Sequence, residues 1–266
     1  MSLGMSLPDE FRSQSGDAPI ALVTGGAKRV GRALAEALAA RGFRIALHFN
    51  QSRPEAEAAA AAIRSAGHAE PILVQADLQE ADAPARILAA LPAAPSLLVN
   101  NASLFVQDSF GRIDLELWQQ HMTVNLLAPV LLSQAFASAL PPDRNGLIVN
   151  LSDAKLSSPN PDFFSYTISK MGLAGATELM ARTLAPRIRV NAIAPSVTLV
   201  SGPQSRANFE KAHVMNALGR GVDVSDLVRA LIYLVETPTV TGQTLVIDAG
   251  QRFLALPRDV AYMVRP

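Results

Sequence analysis

Asp153, Tyr166 and Lys170 place a carboxylate, a phenol and an ammonium at fixed offsets, thirteen and four residues apart. That is a proton-transfer site in outline. Tyr and Lys at i and i+4 stand on one face of a helix. There the ammonium can stabilise the phenolate and lower a phenol pKa that is about 10 when unperturbed. A tyrosine lowered in this way works as an acid near neutral pH. Ser152 lies one place before Asp153. Successive strand residues point to opposite faces, so only one of the two can face such a site in regular geometry.

A second group of residues could hold a phosphate. Residues 19–24 read as a buried apolar strand, residues 25–31 (Gly-Gly-Ala-Lys-Arg-Val-Gly) as a turn, and residues 32–41 as an Ala/Leu-rich helix. Glycines let the backbone approach a pyrophosphate closely, and a helix start offers free N–H groups and the positive end of a dipole. Strand, glycine-rich turn and helix together point to a dinucleotide.

These two groups need a scaffold that brings residue 25 and residue 166 to one place. Apolar runs at 45–49, 72–74, 97–99, 147–151, 190–194 and 245–247 alternate with helical patterns. Continuous apolar strands imply a parallel sheet buried on both faces. The reading is an α/β fold: a single doubly wound, Rossmann-like domain over 18–266 with a mostly parallel seven-stranded sheet. Helical stretches are expected at 54–66, which is Ala-rich, at 115–139 and at 164–185. Residues 1–17 are expected to form a flexible tail; they carry no signal h-region or membrane span, which predicts a soluble, cytoplasmic protein without a membrane partner.

Composition narrows the function. The 266 residues are 49% hydrophobic with zero formal net charge and scattered basic residues, so no nucleic-acid partner is expected. The chain has no cysteine, which excludes disulfides and thiolate chemistry. His48, His68, His121 and His213 lack metal-ligand spacing and read as structural or surface residues; no metal is expected.

With these motifs in order, the chain resembles the short-chain dehydrogenase/reductase family. Thr24, Gly25 and Gly31 match its glycine-rich turn, Asn100-Asn101-Ala102 its Asn-Asn-Ala-Gly element, Asn125 its helix asparagine, and Tyr166 with Lys170 its catalytic pair. Three positions depart from the pattern: Arg29 replaces a glycine, Ser103 another, and Asp153 the usual serine. With Phe105, these departures resemble the pteridine reductase and dihydromonapterin reductase branch. The resemblance implies a catalytic set of Asn125, Asp153, Tyr166 and Lys170, in which Tyr166 donates the proton and Asn125 positions a water. It implies a substrate site of Arg29, Ser103, Phe105, Asp153 and Tyr166, with Phe105 over a pterin ring. Cofactor contacts implied beyond the turn, where Val30 also lies, are Asp77 and Leu78 at the adenine, and Asn100 and Ala102 along the groove. Tyr166, Lys170, Pro195 and Thr198 are placed near the nicotinamide, with Ser196 in place of a glycine. A homotetramer pairing through 115–139 and 164–185 is implied as well, and a substrate-covering loop at 196–222.

Cofactor choice is read at the end of the second strand, Leu47-His48-Phe49-Asn50-Gln51-Ser52-Arg53. No acid precedes Glu55, and Lys28, Arg29, Ser52 and Arg53 are available as donors, with Asn50 beside them. A 2′-phosphate would meet positive charge there, which predicts NADPH over NADH. The expected function is reduction of a dihydropterin by hydride transfer from NADPH. A reductase of carbonyls or 3-oxoacyl thioesters would use the same Asn125, Tyr166 and Lys170, and a catalytically silent NADP-binding sensor is the alternative of another class.

Overall fold

The computed structural model describes residues 7–11, 17–201 and 204–264. Seven strands form one parallel sheet in the order β3-β2-β1-β4-β5-β6-β7. They are β1 (Ile20–Val23), β2 (Arg44–Phe49), β3 (Ile72–Gln75), β4 (Leu97–Asn100), β5 (Gly146–Leu151), β6 (Ile188–Pro195) and β7 (Thr244–Ile247). From β1 the chain winds outward to β3, then returns to β4 on the other side of β1. That reversal opens a crevice at the carboxyl ends of β1 and β4, where doubly wound sheets bind ligands.

Alternation within each strand explains why the strands read as unbroken apolar runs. Ala21, Val23, Leu97, Val99, Leu147 and Val149 point to one face. They meet α1 (Arg29–Ala40), α2 (Arg53–Ser65) and α8 (Val224–Glu236) through Leu34, Leu38, Ile63, Leu227 and Leu231. Ile20, Leu22, Leu98 and Ile148 point to the other face. There α3 (Ala83–Ala89), α5 (Ala128–Ala139) and α6 (Phe164–Leu184) supply Ile87, Leu132, Phe136 and Ala181. Two cores bury the central strands on both faces, so hydropathy marks those strands and cannot mark their period, while the edge strands β3 and β7 are only partly covered.

The structure differs from the sequence reading in three places. The first helix begins at Arg29, three residues early, because the turn closes within residues 25–28. The stretch 115–139 is α4 (Leu115–Met122) and α5 joined by a π-helical turn, Thr123–Leu127, in which the Ala128 N–H bonds to the Thr123 carbonyl. Pro129 contributes to this interruption: it has no N–H to give to the carbonyl of Asn125 four residues earlier. Finally, part of the expected flexible tail is docked. Asp9–Phe11 forms a 3-10 turn, with Phe11 buried edge-on against Phe43 at 5.3 Å and Glu10 2.7 Å from Arg189. Arg189 is buried on β6 and needs a counter-charge, which Glu10 provides. Residues 1–6 and 12–16 lie outside the described residues.

Candidate active site

The crevice begins with a turn that leaves no room for side chains. A Cβ on Gly31 would come within 2.2 Å of the Gly25 carbonyl oxygen and 2.5 Å of Asn101 Nδ2, and Gly25 itself has a left-handed φ of 62°. Two residues sew this turn to β4. Thr24 Oγ1 accepts the N–H groups of Asn101 (2.9 Å) and Ala102 (3.0 Å), and Asn101 Nδ2 donates to the carbonyls of Thr24 (2.9 Å) and Gly25 (3.2 Å). At the start of α1, the N-cap Lys28 makes no side-chain cap. The first N–H groups of that helix are therefore available to an anion beneath the glycines, which fits a pyrophosphate.

His48 locks the same turn from the other side. Its Nδ1 accepts the Gly25 N–H at 3.2 Å and its Nε2 lies 3.1 Å from the Ala76 carbonyl, which fixes a neutral ring with the proton on Nε2. Burial pushes its pKa down to about 4, against weaker raising contributions from the Ala76 carbonyl and Asp77. Its unfolded pKa is higher, near 6.5. The unfolded chain thus takes up a proton that the folded one refuses, and the stabilisation present above pH 6.5 is lost as pH falls toward 4. The slope is about 1.4 kcal/mol per pH unit at most. A His48→Gln variant is expected to lose that slope in denaturant midpoints measured from pH 7 to pH 4.5; an unchanged slope would refute this role.

Tyr166 and Lys170 occupy the first turns of α6, and Asp153 follows β5 as the cap of a 3-10 turn, Ala154–Ser157. The Tyr166 hydroxyl donates to Asp153 Oδ2 at 2.7 Å, while Asp153 Oδ1 accepts the Lys155 N–H at 2.8 Å. Asp153 therefore faces the phenol. The Ser152 hydroxyl is buried with no hydrogen-bond partner among the described residues. Lys170 Nζ donates to the Leu151 carbonyl at 2.7 Å and stands 5.8 Å from the Tyr166 ring centroid.

The expectation that Lys170 lowers the phenol pKa does not hold in this geometry. Burial, followed by the Asp153 charge, pushes Tyr166 well above 10, and burial pulls Lys170 down to about 8. The phenol is thus a protonated donor across the neutral range. Its proton is held by Asp153.

Asn125 is a hub of the site and does not point into open space. Its Oδ1 accepts the Leu104 N–H (2.8 Å) and the Ser103 hydroxyl (3.1 Å); its Nδ2 donates to the Leu104 carbonyl (2.9 Å) and to Ser169 Oγ (3.1 Å). The side chain is consumed in fixing the 103–104 loop to α6, and Pro129 has no N–H to offer the Asn125 main-chain carbonyl. His121 fastens the same loop, accepting the Val106 N–H at 3.3 Å and bonding Ser165 Oγ at 2.6 Å; burial lowers its pKa. Phe105, at the end of this loop, is partly exposed. Its ring centroid lies 4.7 Å from that of Tyr166, edge to face.

Other expected residues have different places. Asn100 is buried and donates to Asn150 Oδ1 at 2.9 Å, and the Thr24 hydroxyl is spent on the turn; both position the crevice without lining it. Leu78 is in the core, and Asp77 Oδ1 accepts the Gln79 N–H at 2.9 Å as a turn former. Asn50 and Ser52 border α2, where Lys28 pairs with Glu55 at 2.9 Å and Arg53 with Gln75 at 2.6 Å. Both basic groups are exposed, and such pairs are weak enough for a phosphate to replace. Arg29 is exposed and has no ion-pair partner among the described residues. Val30 follows it in α1; Pro195 ends β6, and Thr198 Oγ1 donates to the Ser196 carbonyl at 2.9 Å. The expected loop 196–222 contains a helix, α7 (Arg206–His213). His48 and His121 are structural residues, as the sequence reading has them, though their bonds to the turn and the loop carry no local signal; Asn101 is named there only within the Asn-Asn-Ala run, and Ser169 is missed.

A family model described as short chain dehydrogenase matches residues 19–211, and the chain belongs to that family. A 3-oxoacyl-[acyl-carrier-protein] reductase from Synechocystis sp. is 31% identical over 240 residues, 88% of this chain and 96% of the relative. Two crystal structures are more alike in sequence. FolM alternative dihydrofolate reductase 1 from Brucella canis, complexed with NADP, is 42% identical with a TM-score of 0.83, over 92% of this chain and 97% of the other. The corresponding protein from Brucella suis, also with NADP, is 43% identical with a TM-score of 0.82, over 89% and 95%.

Proposed function

We propose that the protein is an NADPH-dependent reductase of a dihydropterin. The observation that carries this reading is the exposed Phe105 ring beside the Tyr166–Asp153 pair. A flat heterocycle needs an aromatic surface and a proton donor at its edge, and both are present. The likeness to two NADP-bound alternative dihydrofolate reductases supports it.

NADPH, when bound, supplies the hydride. The residues of the chain supply the rest. The bare glycine turn and the uncapped start of α1 receive the pyrophosphate; Lys28, Arg29, Ser52 and Arg53 receive the 2′-phosphate. Arg29 and Ser103 stand at the rim of the pterin site. Tyr166 gives a proton to the ring nitrogen that is reduced, with Asp153 holding the hydroxyl in line. The carbonyl of Asn125 holds a water that extends the proton path. Reduction of 3-oxoacyl thioesters is the second reading, favoured by the Synechocystis relative.

The test is the initial rate of NADPH oxidation with a 7,8-dihydropterin, beside the same assay with NADH and with an acetoacetyl thioester. Saturable dihydropterin turnover with kcat/KM about tenfold or more above that with NADH is expected. A preference for NADH sinks the cofactor assignment, and turnover of the thioester alone sinks the pterin.

The protein works, on this reading, as a cytoplasmic homotetramer. Leu127, Met171 and Leu179 are exposed on the α5 and α6 side of the molecule, and Tyr233 is exposed on α8 beside the edge strand β7. Such apolar surface suits subunit pairing. Size-exclusion chromatography with light scattering is expected to give four times the chain mass; a stable monomer overturns this.

A further inference from the structure

Four aromatic rings run in a row from the proton donor to the carboxyl-terminal segment. Tyr166 meets Phe105 edge to face at 4.7 Å, Phe105 stacks on Phe163 at 4.1 Å, and Phe163 stacks against Tyr262 at 6.1 Å. The row is closed in the middle and open on either side of it: Phe163 is 8% exposed, Phe105 39% and Tyr262 49%. Phe105 and Tyr262 both lie nearly parallel to Phe163, at 17° and 16°.

Tyr262 belongs to a short helix, α9 (Val260–Met263), that is held firmly to the site. Just before it, Arg258 donates from Nε and Nη2 to the Asp162 carboxylate at 2.8 and 2.7 Å, the Asp259 N–H donates to the same carboxylate at 2.7 Å, and the Arg258 guanidinium lies 5.3 Å from the Tyr262 ring centroid. From above, Asn208 on α7 donates to the carbonyls of Ala261 (2.8 Å) and Val264 (3.3 Å). Phe163 has a left-handed φ of 52°. A bulky residue persists in that conformation only when its surroundings over-determine it. Here Gln107 Oε1 accepts the Phe163 N–H at 3.2 Å, the Asp162 carbonyl accepts from Lys155 Nζ, and the Lys155 ammonium lies 5.4 Å from the ring centroid. A half-exposed ring anchored on three sides and continuous with the Phe105–Tyr166 pair is held in place and not left to fray with the terminus.

We propose that Tyr262 is a second aromatic subsite, which stacks on an aryl group attached to the pterin, as in dihydrofolate, while Phe105 faces the pterin itself. The inference rests on the pterin reading above and adds to it a residue that sets how well a dihydropterin bearing a flat aromatic extension is held. Two nearly parallel exposed rings, set apart by one stacked ring, match a ligand with two flat groups joined by a short linker. An aliphatic acyl chain would have no use for their orientation. The Tyr262 phenol is kept neutral, burial and the charges of Asp162 and Asp259 raising its pKa, so no phenolate charge opposes stacking.

The experiment measures KM for dihydrofolate and for 6-hydroxymethyl-7,8-dihydropterin, with NADPH, in wild type, Tyr262→Ala and Tyr262→Phe, together with equilibrium binding of both pterins to the NADP-loaded protein. The ratio of the dihydrofolate KM to the hydroxymethyl KM is expected to rise about three- to tenfold in Tyr262→Ala, the loss of one aromatic stack, and to return to the wild-type value in Tyr262→Phe. An unchanged ratio in Tyr262→Ala overturns the subsite and leaves the pterin reading standing. A wild-type protein that neither binds nor reduces either pterin overturns both.

Discussion

Replacing Tyr166 with phenylalanine is expected to lower turnover by about 10²–10⁴-fold, the usual worth of a positioned acid, while the dissociation constant for NADPH stays within a few-fold of wild type. The reasoning is local. The hydroxyl is the group held by Asp153 at 2.7 Å, and the ring is buried beside Phe105, so the substitution removes a proton and leaves the packing. Asp153 keeps its bond to the Lys155 N–H, so the carboxylate is not orphaned. Because burial and Asp153 raise the phenol pKa, the acid remains protonated through the neutral range, and the wild-type rate should show no loss from tyrosine ionisation between pH 6 and 9. Steady-state kinetics with fluorescence titration of NADPH separate the two quantities. Wild-type turnover in the variant would remove Tyr166 from the mechanism.

The other large effect is expected at Gly31. A methyl group there would lie 2.2 Å from the Gly25 carbonyl oxygen and 2.5 Å from Asn101 Nδ2. The first neighbour is backbone, and the second is a side chain already bonded to the Thr24 and Gly25 carbonyls. Neither can yield without opening the seam between β1 and β4. Gly31→Ala should therefore destabilise the fold by about 1–3 kcal/mol, as overpacking does. It should also cut kcat/KM on the order of 100-fold, since a displacement of about an ångström in a positioning element has that scale of effect. Thermal melts and NADPH titration check both. A variant that binds NADPH as tightly as wild type and melts at the same temperature would show that the turn is not the cofactor cradle.

The legible part of the molecule is the part encoded by short-range chemistry. The central strands β1, β2, β4, β5 and β6 are buried on two sides, so they appear as apolar runs, and the parallel sheet follows from the alternation of strands with helices. Asp153 and Tyr166 meet because one lies just past a strand and the other in the first turn of a helix, thirteen residues on. What stayed hidden depends on neighbours far along the chain. Phe11 and Glu10 dock because a buried arginine 179 residues away requires a charge. Tyr262 reaches the site because Arg258 finds Asp162 across 96 residues. The sign of the Tyr166 shift was misread for a similar reason. Spacing places Lys170 near the ring, but only the fold shows that its ammonium is buried and turned to the Leu151 carbonyl.

Arg29 adopts a left-handed φ of 53° at a place where glycine would be at ease. Holding a side-chain-bearing residue there costs about 1–3 kcal/mol, and glycine would release that strain while losing about 1 kcal/mol through a freer unfolded chain. The fold therefore gains nothing from arginine at this position. A campaign to make the protein more heat-resistant would be drawn toward glycine here and would discard, with the strain, the exposed guanidinium at the mouth of the crevice. Robustness and an exposed positive charge pull in opposite directions at this single residue.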